Sequence, residues 1–262
     1  MPSLENKLAA LELTLNTAKK RAQQPQPRDA LEFALLHGFE PDRWQQRVLY
    51  STQKRIALNC SRQSGKSTIV ALLAAYEALH KPNSLTILVS PSLRQSGELF
   101  KKARDYIKDT PLLEDNRTSL EVDGGGRIVS LPGSEKTTRG YSAPGLIAID
   151  ECARVEQSLI ESLRPMLSVG NGRLVLLSTP WGRNNFFADV VLGHPEGWQV
   201  ETVKAKDVPR IPPAFLEEER ASLPRHVFKQ EYECEFEDSL GAAFAFDEIN
   251  EAIDPNERPL KL

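Results

Sequence analysis

Cysteine is scarce in this chain: Cys60, Cys152 and Cys234 are the three present among 262 residues. They are odd in number, scattered and without metal-ligand spacing, which excludes a disulfide framework and points to a reduced, intracellular setting. Long hydrophobic runs are lacking too, the longest falling far short of the roughly 20 residues a membrane helix needs. The opening Met1-Pro2-Ser3-Leu4-Glu5-Asn6 shows no basic, then apolar, then small-residue order, so neither a leader nor a membrane anchor is expected. Nor does one sign of charge prevail: 33 Lys and Arg against 36 Asp and Glu leave a net −3. That excludes a uniformly basic nucleic-acid coat but leaves room for a local basic surface. What is present is globular in kind, with 40% hydrophobic and 26% charged residues. The length suits one large domain, or a domain with an appendage.

The most informative stretch is Cys60-Ser61-Arg62-Gln63-Ser64-Gly65-Lys66-Ser67-Thr68, which follows the apolar run Ile56 to Leu58 and precedes Ile69 to Leu73. A strand, a tight loop and a helix opening on Gly-Lys-Ser aim backbone N–H groups and the positive end of a helix dipole at one place. There Lys66 reaches β- and γ-phosphates and Ser67 holds Mg²⁺, so the stretch reads as a phosphate cradle. The first glycine of the usual G-x-x-x-x-G-K-[ST] pattern is missing, with Cys60 in its place. The loop can still close, because Gly65 lies next to the phosphates whereas the first position mainly ends the strand.

A second motif is Leu146-Ile147-Ala148-Ile149-Asp150-Glu151. Four apolar residues in a row predict a strand buried on both faces of a parallel sheet, whose carboxyl end delivers two adjacent carboxylates to the phosphate rim. Asp150 is expected to orient Mg²⁺ through its shell and Glu151 to polarise the attacking water.

Around these, Leu4, Leu8, Leu11 and Leu15 predict an amphipathic helix over residues 3–22, packed on its own domain or on a neighbouring subunit. Residues 23–27 read as a linker. Asp42 is the expected N-cap of a helix carrying Trp44, Val48 and Leu49. Within it Gln45 or Gln46 either pairs with an adenine edge or is a solvated amide beside a core tryptophan. After the phosphate loop the pattern predicts a helix over 66–80, a strand over 86–90 and a helix over about 95–110 carrying Lys101, Lys102 and Arg104. That basic cluster reads as a solvated face or, more weakly, as a DNA contact. Ser119 to Val122 and Arg127 to Leu131 alternate as a hairpin does. Arg173 to Leu177 predicts a strand ending in Ser178-Thr179-Pro180, hydroxyls that sense the γ-phosphate through the loop 181–185 or merely cap the strand. Trp198 to Lys204 reads as a last strand, and helices near 214–223 and 225–234 form an appendage. Arg139, in a polar loop beside Gly140, either reaches a neighbouring subunit's nucleotide as an arginine finger or fixes its loop by a salt bridge, while Arg62 senses or positions the nucleotide in its own chain.

In this order, the Trp44-Gln45 segment, Ser61 to Thr68, Arg139-Gly140, Ile149-Asp150-Glu151 and Ser178-Thr179-Pro180 resemble the ATPase half of the large terminase subunit of tailed bacteriophages, over about residues 38–245. The arginine inside the phosphate loop, Arg62, is the most diagnostic feature. The resemblance implies an α/β P-loop NTPase of the ASCE/RecA-like class, with a mainly parallel central sheet flanked by helices. Its implied divisions are an N-terminal helical arm and linker over 1–37, an ATPase core over 38–208 and a helical lid or linker over 209–262. It implies adenine recognition by Gln45 or Gln46, ATP phosphates held by Ser61, Arg62, Gln63, Ser64, Gly65, Lys66, Ser67 and Thr68, and Mg²⁺ at Ser67 and Asp150. Catalysis falls to Glu151 with Arg139 and Arg62, and coupling to DNA movement falls to Ser178, Thr179 and Pro180. The implied partners are double-stranded DNA, a portal on a procapsid, a small terminase subunit and further copies in a ring, with the host cytoplasm as location. The chain stops at Leu262, after Phe244-Ala245-Phe246-Asp247, which looks like the lead-in to a nuclease half. A fragment without DNA cleavage is therefore expected. Two other readings remain: a superfamily 2 helicase core, for whose second RecA-like domain 262 residues leave no room, and a nucleotide-binding assembly subunit without turnover, for which Glu151 would be unnecessary.

Overall fold

Strands built from unbroken apolar runs belong where both faces are covered, and the four around Ile56, Ile87, Ile147 and Val175 lie side by side in the sheet. The computed structural model describes residues 26–133 and 140–237. The predicted N-terminal helix, Arg139 and the segment from Phe244 to Asp247 lie outside the described residues. The chain runs α1 (Ala30–Leu36), α2 (Arg43–Tyr50), β1 (Arg55–Cys60), α3 (Lys66–His80), β2 (Leu85–Ser90), α4 (Leu93–Asp105), β3 (Leu112–Asp115), β4 (Ser119–Val122) and β5 (Arg127–Pro132). It continues through β6 (Leu146–Asp150), α5 (Gln157–Leu163), α6 (Leu167–Gly170), β7 (Arg173–Ser178), α7 (Phe186–Gly193), β8 (Trp198–Val203), α8 (Pro213–Ser222) and α9 (Arg225–Tyr232).

Among the described residues the strands form one eight-stranded sheet in the order β3-β4-β5-β2-β6-β7-β1-β8. Every neighbouring pair from β5 to β8 is parallel. The expected hairpin is present as β4 and β5, and its second arm joins β2 in parallel, so the hairpin widens the sheet. An edge strand, β3, extends it further; three of its four residues are exposed, which is why no apolar pattern announces it. The central strands divide their side chains by the two-residue period of a strand. Ile56, Leu58, Leu88, Ala148, Val175 and Leu177 enter one core with α1, α2, α3 and α4. Ala57, Ile87, Ile147, Ile149, Leu174 and Leu176 enter the other with α5 and α7. The helix after the phosphate loop, α3, is buried without a break from Ile69 to Ala75, as a helix apolar on every side must be.

The packed body reaches back past the expected border at residue 38. Phe33 of α1 is buried with its ring centroid 5.6 Å from that of His80 on α3, and Ala30 and Ala34 join the same core. At the other end, α8 and α9 pack on each other, and within α9 the rings of Phe228 and Tyr232 stack at 5.1 Å. The chain then returns to the second core at Phe236. Among the described residues no helix is long and apolar enough to cross a membrane.

Candidate active site

The phosphate loop leaves the sheet at the carboxyl end of β1. Cys60, where a first glycine was wanting, is fully buried in the core, and burial pushes its thiol well above the ordinary range. The strand end therefore spends this position on packing, and the turn is made later. Gln63 and Gly65 adopt positive φ, 58° and 92°. Ser64 Oγ donates to the Ser61 carbonyl at 2.8 Å, and the Ser61 N–H donates to the Val203 carbonyl at 3.0 Å. The φ of Gly65 is one that side-chain-bearing residues rarely adopt, and a Cβ there would also lie 2.8 Å from Gln45 Nε2, displacing that amide. Among the described residues the N–H groups of Gln63, Ser64, Gly65, Lys66 and Ser67 have no acceptor, and the buried Ser61 hydroxyl has no partner. These unspent donors, at the start of a 15-residue helix, form a cradle for an anion. Lys66 is buried beside it, with no ion-pair partner among the described residues.

The carboxylates arrive two strands away. The strand carrying Ser178, β7, lies between β1 and β6, with Asn59 level with Ser178 on one side and Asp150 level with Leu177 on the other. All three strands thus end on one rim, where ligands of such sheets bind. Asp150 is about nine-tenths buried, and its carboxyl is pushed up to about 6, first by desolvation and then by the charge of Glu151, against the opposing pull of Lys66. Its Oδ1 accepts from the Glu151 N–H at 3.0 Å. Glu151 takes a left-handed conformation, φ 50° and ψ 42°, which is unusual for a residue with a Cβ. That twist ends the alternation of the strand, which would otherwise send neighbouring side chains to opposite faces.

A family model described as terminase large subunit, T4likevirus-type, N-terminal, matches residues 57–251. The chain belongs to this family. The large terminase subunit of Thermus virus P23-45 is 27% identical over 254 residues, covering 82% of this chain and 52% of that protein. The chain thus spans about half the length of the curated relatives it matches. Among solved structures, the Thermus phage P74-26 large terminase ATPase domain is similar with a TM-score of 0.69 at 24% identity, over 81% of this chain and 100% of that one. The large terminase of a thermophilic bacteriophage, in complex with ADP, is similar with a TM-score of 0.65 at 11% identity, over 75% and 54%. The expected P-loop fold is borne out, and with it membership of the terminase family rather than the helicase alternative.

The other expected site residues of this terminase domain fall in distinct surroundings. Gln45 is buried, and its amide is engaged at both ends: Oε1 accepts from the Asp42 N–H at 2.8 Å and Nε2 donates to the Ser64 carbonyl at 3.4 Å. It ties the start of α2 to the phosphate loop. Gln46 is exposed and donates to the Pro41 carbonyl at 2.9 Å. Ser67 and Thr68 are half-buried in the first turn of α3. Arg62 points to α9, where its guanidinium meets both carboxylate oxygens of Glu231 at 2.7 and 3.2 Å. Ser178, Thr179 and Pro180 are buried at the end of β7, and the Ser178 hydroxyl accepts from the Ala153 N–H at 3.3 Å.

Three residues of the site were not singled out from sequence. Arg210 donates to Asp42 Oδ1 and to the Ser64 carbonyl, both at 3.0 Å, bracing the phosphate loop from the segment leading into α8. Glu231 receives Arg62, and Arg154 lies between Glu231 and Glu151. The first two sit in stretches whose charge pattern is that of any solvated helix or turn. Arg154, three residues after Glu151, was within reach of a spacing argument because a single turn follows the strand.

The elevated Asp150 carboxyl has a measurable consequence for this terminase domain. In the fold it holds its proton more tightly than at the ordinary value of 3.8, so the metal-free domain should lose stability as pH rises from about 4 to about 6 and no further above that. The loss attributable to this group is roughly 3 kcal/mol. Thermal melts of the parent and Asp150→Asn should converge near pH 4 and separate by pH 8, with the asparagine variant the more stable. Parallel curves across that range would refute the assignment.

Proposed function

We propose that this domain hydrolyses ATP with Mg²⁺ and couples the reaction to movement of double-stranded DNA into a procapsid. The observation that carries the proposal is the common rim: the Lys66 turn follows β1 and the Asp150-Glu151 pair ends β6, the two strands that flank β7. The terminase family supports it, as does the ADP held by the thermophilic phage's large terminase that shares the fold.

The donors of the loop and the Lys66 ammonium receive the triphosphate and draw charge from its γ-phosphoryl oxygens. Ser67 and Asp150 would hold Mg²⁺, offering the hard oxygen ligands it prefers. The ion, when bound, neutralises charge developing across the β- and γ-phosphates. Glu151 orients the attacking water and takes its proton. The loop residues Ser61 to Thr68 bind through backbone and hydroxyl groups, and Gln45 acts on the nucleotide indirectly by holding Ser64; contact of Gln45 or Gln46 with the adenine edge requires an exchange of their present hydrogen bonds. Arg62 positions the nucleotide from within its own chain, in exchange with Glu231, and Arg139 serves a neighbouring copy in a ring. Ser178, Thr179 and Pro180 transmit the state of the site to DNA-bound parts. Portal, small terminase subunit and the cytoplasm of a host cell complete the proposed setting, and no DNA cleavage is assigned to this chain.

Calorimetric titration with ATP and Mg²⁺, followed by phosphate release with and without linear double-stranded DNA, tests the proposal. Binding heat and turnover are expected. Absence of both ends the ATPase reading, and turnover indifferent to DNA at every length and concentration removes the motor role while keeping the enzyme.

A further inference from the structure

Four charged groups and one ring form a continuous patch beside the site. The Arg154 guanidinium lies over the Trp181 ring, 3.8 Å from its centroid. Its Nε is 3.8 Å from Glu151 Oε2 and its Nη2 is 3.8 Å from Glu231 Oε1. Both separations exceed a hydrogen bond, so the cation is shared between two carboxylates and committed to neither. Glu231 is engaged more closely by Arg62 of the phosphate loop, at 2.7 Å. Arg154 is anchored behind: it ends the single turn Cys152–Arg154, whose Ala153 N–H donates to the Ser178 hydroxyl at 3.3 Å. Its ring support, Trp181, follows the same strand end by three residues and is half-exposed. The loop beneath is closed on itself, Asn185 Nδ2 donating to the Trp181 carbonyl at 2.8 Å.

We infer that Arg154 is a positioning residue for Glu151, setting the direction of the water-activating carboxylate through a cation held on the Trp181 face. The inference rests on the ATPase reading given above. In the step concerned, water attacks the γ-phosphorus while Glu151 takes the water's proton. The bond from the γ-phosphorus to the β–γ bridging oxygen breaks, ADP leaves with that electron pair, and phosphate and the proton pass to solvent. A carboxylate on a residue with left-handed backbone lies outside the alternation of the strand, and a charged neighbour that faces it narrows its direction among the rotamers left open. Arg154 is the cation nearest to it along the chain and the one that pairs with it among the described residues. Arginine suits the task because its planar group stacks on an indole while presenting N–H groups at its edge, a combination lysine lacks.

Steady-state phosphate release by the 262-residue chain, with titration of a fluorescent ADP analogue alongside, tests this. Arg154→Met keeps an unbranched side chain for Trp181 and removes the charge; it should lower kcat roughly 10- to 100-fold, the scale expected of a misplaced reacting group. KM and ADP affinity should stay within about twofold, since the carboxylate it directs acts on the water and not on ground-state binding. Arg154→Lys, which restores the charge, should recover kcat to within about fivefold of the parent, the remaining deficit reflecting the lost stacking. Unchanged kcat in Arg154→Met overturns the inference. So does a loss that lysine does not repair, a loss matched by an equal rise in KM, or a fall in melting temperature large enough to account for it. A parent chain without turnover would sink the ATPase reading and this inference together, whereas a parent that turns over beside an equally active methionine variant sinks this inference alone.

Discussion

Glu151→Gln should bind ATP as the parent does and turn it over about 10²- to 10⁴-fold more slowly, the range general-base removal commands. Glutamine keeps the size of the side chain at position 151, so the change removes the proton acceptor together with the charge that faces Arg154 and Asp150. Lys66→Ala should fail earlier. It withdraws the buried ammonium next to five N–H groups that have no acceptor among the described residues, and so lowers both affinity and turnover. The contrast matters more than either loss. Binding without turnover in one variant and weakened binding in the other assigns the two ends of the rim to different steps. Equal phosphate release by parent, Glu151→Gln and Lys66→Ala would show that these groups do not serve hydrolysis at all.

The second large effect belongs to the opposite end of the sheet. Gly172 precedes β7, and a Cβ there would stand 2.0 Å from the Pro144 carbonyl oxygen and 2.8 Å from Leu167 Cδ2. The oxygen belongs to backbone, so no side-chain rotation relieves the contact. The segment is also pinned, since the Gly172 carbonyl accepts from Arg55 Nη1 at 3.0 Å and the Arg173 N–H donates to the Gly145 carbonyl at 2.8 Å. Gly172→Ala should therefore cost about 3 kcal/mol, the upper range of overpacking. The melting temperature should fall by roughly 6–12 °C in a domain of this size. Because the clash lies away from the phosphate rim, KM for ATP of the folded fraction should not move. A melting temperature within a degree of the parent would mean that β6 and β7 can separate at this end without penalty.

The candidate site residues were legible because their signals are local. A phosphate loop is a strand, a turn and a helix start within a few residues, and the apolar run into Asp150 and Glu151 announces both a buried strand and what hangs from its end. The helix over Lys66 to His80 and the strands ending at Ser90, Asp150 and Ser178 are present within a residue or so of expectation. Less legible were the elements without their own pattern. The exposed edge strand β3 and the short helices α5 and α7 acquire order from what they lie against. The place of α1 is of this kind as well: Phe33 looks like an isolated aromatic until α3 supplies Tyr76 and His80 around it.

Gln45 shows the difference in a single side chain. It was expected to pair with an adenine edge or to be solvated beside a core tryptophan, yet it is buried and its amide is occupied by Asp42 and Ser64, because the capping of α2 and the bracing of the loop share one residue. The amino-acid sequence by itself determined the fold class, the phosphate cradle and the paired carboxylates, since each depends on neighbours a few bonds away. Only the tertiary structure decided the partners of the charges. Arg62 meets Glu231 across 169 positions, Arg210 reaches Ser64 across 146, and Arg154 finds Trp181 and Glu231 around Glu151. No periodicity encodes such pairs; they arise where the order of strands in the sheet brings separate chain ends to one rim.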